Sequence, residues 1–130
     1  MVRSSRSRDH GAAVVDLVLV LVVLLPLFLG ILQVALVLMV RNTLASAAAE
    51  GARHAASLEH DAADGVARTR AQIDAAVSGR FARDVEASSV TVDGAPAVRV
   101  TVRATVPALG LGGPAVELVV SGHAVEEQVG

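Results

Sequence analysis

The chain contains no cysteine and no lysine, and aromatic residues are scarce. Its 130 residues include two Phe and no Trp or Tyr. The absence of cysteine excludes disulfides, thiolate catalysis and cysteine-ligated zinc. The scarcity of aromatic rings removes the stacking platforms that bind single-stranded nucleic acid. Because the net charge is −2, the chain also lacks the basic footprint of a nucleic-acid partner.

Sequence patterns that carry chemistry are also missing. The chain has no G-x-S-x-G, no phosphate-binding glycine loop and no H-E-x-x-H. No serine has an identifiable base and orienting acid. We therefore predict that the protein is not an enzyme, with no catalytic residue, no cofactor and no small-molecule substrate.

Two groups of polar residues contain side chains of the types that bind metal ions. Glu50 and His54 have the i, i+4 spacing that can place two ligands on one metal, but a lone pair of this kind is more typical of a solvated helix face. The second group lies where the helical pattern breaks and lacks the calcium-loop pattern. It comprises Glu59, His60, Asp61 and Asp64. We predict a capping role for this group and no metal site.

A long apolar run dominates the N-terminal third. From Leu17 to Val40 there are 24 residues, and only Gln33 has a polar side chain. A helix of this length measures about 36 Å, enough to cross a hydrocarbon core of about 30 Å. The sequence therefore predicts a transmembrane helix over 12–40. Pro26 removes one backbone hydrogen bond and is predicted to kink this helix.

The arginines predict the orientation of the helix. Three of them lie in the leader, residues 1–11, whereas Arg41 is followed by uncharged residues up to Glu50. Positive charge is retained on the cytoplasmic side of membrane proteins. We therefore expect a single-pass protein of the cell membrane, with a cytoplasmic N-terminus and an extracytoplasmic C-terminal part.

A secretory signal peptide is the competing interpretation. Ala45-Ser46-Ala47 provides an A-x-A cleavage site. The apolar run is much longer than the usual 7 to 15 residues of a signal peptide, which favours retention. Cleavage near Ala47 would instead release a small soluble domain.

An alanine-rich segment follows the membrane run and is predicted to extend the helix to about Ser57. Its small residues fall on one face at spacings of three and four. They are Ala45, Ala48, Ala52 and Ala55. This stripe permits close approach of another helix; an alanine-rich stem without a partner is the alternative.

A second helix is predicted from about Ala63 to Phe81, within a stem region spanning 41–81. Its apolar positions follow helical spacing. They are Val66, Ile73, Val77 and Phe81.

The periodicity changes to two residues in the C-terminal part, 82–130. Val90 and Val92 alternate with polar neighbours, as do the apolar residues of 98–106, which predicts strands with one apolar face. Residues 93–96 supply a hairpin turn, 107–114 a loop, and 115–125 a third strand. The fold class is therefore α+β, with a long helix, a second helix and a small three-stranded antiparallel sheet. Its thin core favours support from the long helix or from assembly.

The polar face of the sheet offers a second functional hypothesis. Arg99, Thr101 and Arg103 alternate along one strand, and two arginines at this spacing can bind an anionic partner. The protein would then be an anchored or secreted ligand-binding domain. A solvated sheet face is the more ordinary explanation.

The segments RDHGAAVVDLVLVLVVLLPLFLGILQ and VRNTLASAAAEGARHAA resemble the TadE-like family of pilin-like proteins of the tight adherence (Tad) pilus system. In that family a short basic leader ends in glycine, and an acidic residue, usually glutamate, follows five positions later. A long apolar helix and an alanine-rich segment with a G-A-R triplet come next. Gly51, Ala52 and Arg53 match the triplet.

The resemblance implies how the chain is processed and used. A prepilin peptidase would cut after Gly11 and leave Ala12 as the N-terminus, with the apolar helix retained. The implied partners are the lipid bilayer, the peptidase and other pilin-like subunits. The implied role is assembly of a Tad-type pilus or a related secretion apparatus. Asp16 departs from the family pattern, since aspartate stands there in place of glutamate.

Asp16 has a physical role under this interpretation. A new amine at Ala12 would lie one helical turn away, and the carboxylate can pair with it on its own chain or on a neighbour. The positive end of the helix dipole also favours an acid there. Alternatively, Asp16 only marks the membrane boundary near the headgroups, where a charge costs little.

Overall fold

The computed structural model describes residues 5–57, 59–77, 82–108 and 115–128. Over these residues the chain forms two helices followed by three strands. They are α1 (Ser5–Ala56), α2 (Ala62–Ala76), β1 (Ala82–Val92), β2 (Ala95–Val106) and β3 (Val116–Val125). The predicted α+β class and the predicted order of elements are confirmed. We call α2 and the three strands the head.

Helix α1 is a single rod of 52 residues that passes through Pro26 without interruption. The kink at that residue stays a prediction. The helix ends at Ala56, one residue before the predicted end. Arg53 and His54 lie in its last turn, where positive charge suits the helix dipole.

Helix α2 begins with a capping box. The Asp61 side chain accepts a hydrogen bond from the Asp64 backbone N–H, and the Asp64 side chain accepts one from the Asp61 N–H, both at 3.0 Å. The capping role predicted for these residues is confirmed. The prediction that the helix continues through Val77 to Phe81 is wrong at Val77, which has extended backbone angles; Phe81 lies outside the described residues. A β-branched residue is a weak helix former, and Val77 instead packs against the core.

The strands form one antiparallel sheet in the order β1-β2-β3. Asp93 and Gly94 join β1 to β2 with positive φ values of 50° and 83°, as a two-residue hairpin turn requires. The predicted four-residue turn is too long, because Ala95 and Pro96 already pair with β1. The predicted loop over 107–114 lies mostly outside the described residues.

The inner face of the sheet packs against the helices. The predicted alternation of β2 is confirmed, since its valines from Val98 to Val106 are buried while Arg99 and Arg103 are exposed. Val90 lies on the opposite, outer face, because its partner Ala97 is two residues from the exposed Arg99 and shares its face of β2. The apolar side predicted for β1 was therefore the wrong one.

The core lies between α1 and the sheet. Val40 and Leu44 of α1 are 1% and 0% exposed, and they cluster with Val100 and Val102 of β2. Ile73 of α2 closes the same cluster. The C-terminal half of α1, its upper half, is thus the central element of the head's core. This explains how a three-stranded sheet with few large side chains can fold.

Candidate membrane anchor and helix-packing site

The N-terminal half of α1, its lower half, carries apolar side chains that nothing in the described chain covers. Between Val14 and Met39 its large apolar residues are 40% exposed or more, apart from a few facing the head; Val23, for example, is 67% exposed. A helix that is apolar all around is stable where lipid or other helices surround it. This segment has the length and composition to cross a membrane.

The head meets α1 before the apolar run has ended. The Gln33 side-chain amide donates a hydrogen bond to the backbone carbonyl of Pro107, at 3.2 Å. One turn further, Leu36 and Val37 are partly buried against the core, and Val40 is fully buried. The last residues of the predicted span 12–40 are therefore covered by the head on one face, which the sequence pattern did not reveal.

The residues predicted to act in processing lie on the exposed lower part of α1. Gly11, Ala12 and Asp16 are all exposed. A Cβ atom added to Gly11 would meet no described atom within 4 Å. Four residues separate Ala12 from Asp16, about 6 Å along the axis. Cleavage after Gly11 and pairing through Asp16 both stay predictions.

The alanine-rich part of α1 is where α2 crosses. A Cβ atom on Gly51 would lie 2.7 Å from the Gly65 carbonyl oxygen and would clash with the Thr69 hydroxyl. A Cβ atom on Gly65 would lie 2.6 Å from the Ala55 Cβ atom. The backbones of the two helices thus touch, and only glycine fits at both positions.

Thr69 fixes this crossing with its hydroxyl group. It is fully buried. Its Oγ1 donates to the Gly65 carbonyl of its own helix at 2.8 Å and lies 3.4 Å from the Ala47 carbonyl of α1. A polar side chain buried at this point needs such partners, because an unpaired hydroxyl would be costly.

Strand β3 approaches the other side of the same segment. A Cβ atom on Gly122 would lie 2.5 Å from the Ala49 Cα atom. Small residues on α1 therefore accept both a helix and a strand at close range. Within the predicted stem set, Ala48 and Ala52 are fully buried and Ala45 is half-buried.

Arg53, the last predicted stem residue, is exposed and forms an ion pair with Glu50 at 3.1 Å. Arg68 of α2 approaches the same carboxylate at 3.9 Å. His54 instead contacts the ring of His60, with ring centroids 3.9 Å apart and the rings tilted by 43°. Glu50 and His54 are thus directed to different partners, and no group of three potential metal ligands occurs among the described residues.

Ser57 and His60 resemble the nucleophile and base of a hydrolytic triad, because Ser57 Oγ lies 2.8 Å from His60 Nδ1. The hydroxyl also donates to the His54 carbonyl at 2.8 Å. Its single proton is used in that bond, so the ring nitrogen is left to donate to Ser57. The contact ties down the end of α1 and does not activate a nucleophile.

On the outer sheet face, Arg103 has an acidic neighbour in register, whereas Arg99 lies between Ser88 and His123. Arg103 pairs in register with Asp84, and Thr101 pairs with Glu86. Glu117 lies beside Thr105 on the other edge of the sheet. The alternation of charge sign resembles a solvated sheet face more than a site for an anionic ligand.

An exposed apolar rod that continues into a buried alanine-rich stem is the geometry expected of a pilin-like protein, and comparison with known families tests that expectation. Residues 11–53 resemble the TadE-like family. They match the family model described as TadE-like protein, which confirms the predicted resemblance and agrees with a TadE-like protein of the Tad pilus system. Comparison with curated proteins and with solved structures gave no match.

The TadE-like match covers about a third of the chain and includes both the exposed apolar part and the alanine-rich part of α1. It begins at Gly11 and ends at Arg53, the last residue of the G-A-R triplet. The TadE-like family is a pilus-associated structural family and is not known as enzymatic. The structure adds a reason for the triplet glycine, since Gly51 is where α2 touches α1.

The packing roles of four residues were not predicted from the sequence. They are Gln33, Gly65, Thr69 and Gly122. A glycine inside a predicted helix or strand signals close backbone approach, which was available as a clue at positions 65 and 122. Nothing in the pattern identified Thr69 as buried, because threonine is more often exposed.

Proposed function

We propose that the chain is a non-enzymatic, single-pass, pilin-like membrane protein that takes part in assembling a Tad-type pilus or a related secretion apparatus. The observation that carries this proposal is the two-part nature of α1. Its lower half exposes apolar side chains, and its upper half is the centre of the head. The TadE-like match covers both parts.

Retention of the apolar helix is supported by the packing around the A-x-A site. Ala47 is 3% exposed and Ala48 is 0% exposed. Cleavage after Ala47 would remove Val40 and Leu44 from the core. A signal peptide is discarded without cost to the mature fold, whereas this segment is part of that fold. The secretory alternative is therefore disfavoured.

Processing after Gly11 is the step we propose at the cytoplasmic side. The cut leaves the apolar run intact and places a new amine at Ala12. Asp16 neutralises that amine, on its own chain or on an incoming subunit, at an edge of the membrane where an unpaired charge is costly. Other pilin-like subunits then pack against the exposed sides of the apolar helix.

Fractionation with mass measurement tests the proposal. We expect the protein in the membrane fraction, with its N-terminus at Ala12. Gly11→Val should abolish the cut without disturbing the fold, because the position is open on α1. Gly30→Ala is a matched control at another open glycine of the same helix and should be processed normally. A product in the culture medium that begins at Ala48 would contradict the proposal.

A further inference from the structure

The place where the head joins α1 does not fit a simple division into membrane rod and external domain. Contact begins at Gln33. The other side of the helix is still exposed and apolar over the six residues that follow. Val34, Leu38 and Met39 are 60%, 52% and 61% exposed. One face of this segment is therefore built for the head and the opposite face for an apolar surrounding.

Helix length places this segment at the edge of the bilayer. A hydrocarbon core of about 30 Å corresponds to about 20 helical residues. Counted from Asp16, the first charged residue before the run, the hydrocarbon ends near Leu36. Gln33 then lies roughly one helical turn inside that edge, and Pro107 of the head lies beside it.

The end of the sheet at this level is apolar. Residues 104–116 include no charged side chain. Val106 pairs with Val116, so the end of β2 and the start of β3 lie side by side. Pro107 and Ala115 are exposed, and Val116 is 37% exposed. The charged residues Arg103 and Glu117 lie on the outer face, from which a long side chain reaches the headgroups.

The hydrogen bond between Gln33 and Pro107 suits this environment. An amide and a carbonyl inside lipid each carry a large cost unless they are paired with protein groups. Gln33 is the one polar side chain of the apolar run, and it lies where a carbonyl of the head accepts a hydrogen bond from its amide. The bond joins rod and head at the depth where water is excluded.

We propose that the β2–β3 end of the head, formed by Pro107, Ala108, Ala115 and Val116, inserts through the headgroup layer to the edge of the hydrocarbon core and contacts lipid. We call it the membrane foot of the head. The inference rests on the proposed function, since it requires α1 to span the bilayer. The foot adds a second membrane contact, so the head is held against the lipid surface in one orientation.

Single-cysteine labelling tests the foot, because the chain has no native cysteine. Val116→Cys and Val125→Cys form a matched pair at opposite ends of β3, and Ala115→Cys provides a second foot position. Leu25→Cys reports the centre of the span. Each variant of the full chain carries an environment-sensitive fluorophore in phosphatidylcholine vesicles. Quenching is measured with nitroxide lipids labelled at the headgroup, near the top of the acyl chain or near its end.

We expect the labels at positions 115 and 116 to lose fluorescence to headgroup and shallow nitroxides, and the label at position 125 to remain bright. The label at position 25 should be quenched by the deep nitroxide. Quenching at 25 combined with bright labels at 115 and 116 would overturn the foot and leave the anchor standing. A bright label at 25 would overturn the anchor, and the foot with it.

Discussion

Gly51 shows what a single missing side chain does in this molecule. It allows the backbone of α2 to reach α1, with Thr69 and Gly65 in the space where a Cβ atom would be. We predict that Gly51→Ala destabilises the head. Overpacking of this kind costs about 1–3 kcal/mol, whereas alanine brings a gain of about 1 kcal/mol to a helix, so the expected net loss is up to about 2 kcal/mol.

Urea unfolding in mild detergent measures this loss. The unfolded fraction at each urea concentration is read from tryptic cleavage after Arg99. Gly30→Ala is the matched control, because it gains the same helix propensity at a position with no described atom within 4 Å. It should leave the unfolding midpoint of the head unchanged. Equal midpoints for Gly51→Ala and the wild-type chain would show that the helices have room to separate.

At the residue scale, the sequence indicated positions but not contacts. The stripe of Ala48 and Ala52 was recognised as a surface for close approach, and in the structure α2 and β3 of the same chain occupy that region. Helical spacing identifies the face of a helix. It does not identify which element covers that face, since that depends on the path of the chain between Ser57 and Ala62.

Among the elements, α2 has the most clearly defined start. Its first turn is closed by the reciprocal bonds between Asp61 and Asp64. We predict that Asp61→Ala lowers the free energy of unfolding of the head by about 0.5–2 kcal/mol. Asp61→Asn should retain most of the stability, because its side-chain oxygen can still accept the backbone N–H. Chemical denaturation of the three proteins gives the comparison.

Asp74→Ala is the control for the loss of charge. Asp74 is an exposed residue near the C-terminus of the same helix. A negative charge there opposes the helix dipole, so its removal should be neutral or slightly stabilising. If Asp61→Ala and Asp74→Ala shift the unfolding curve equally, the cap does not hold the helix.

Elements with strong periodicity were predictable, and their faces and ends were less so. The alternation of β2 predicted a strand and its buried side because five inner positions are apolar. In β1 the inner positions Val85 and Ala87 precede the more conspicuous Val90, which lies on the outer face. Register with β2 decides which side is buried, and register follows from the tight turn at Asp93-Gly94.

The apolar run of α1 illustrates a limit of composition. Lipid and protein core both favour valine and leucine, so hydropathy does not separate a residue suited to lipid from one buried in a core. The change from exposed Val34 to buried Val40 leaves no mark in hydropathy. The structure separates them because β2 ends at Val106 and the next residue, Pro107, lies beside Gln33; the sequence does not encode that meeting point locally.

At the scale of the whole molecule, head and rod are one folding unit. Deleting the chain before Gln33 removes only residues that the described head does not cover, whereas deleting it before Ala48 removes Val40 and Leu44 from the core. Each such loss costs at least as much as a large-to-small core substitution, about 2–5 kcal/mol, which is comparable with the whole stability of a small domain.

We therefore predict that residues 33–130 fold in mild detergent and that residues 48–130 do not. Amide hydrogen exchange in β2 distinguishes them, with slow exchange expected only in the longer fragment. Slow exchange in both fragments would mean that the sheet, α2 and the end of α1 form a core without the part of α1 before Ala48, and a cleaved, secreted form of the protein would again be tenable.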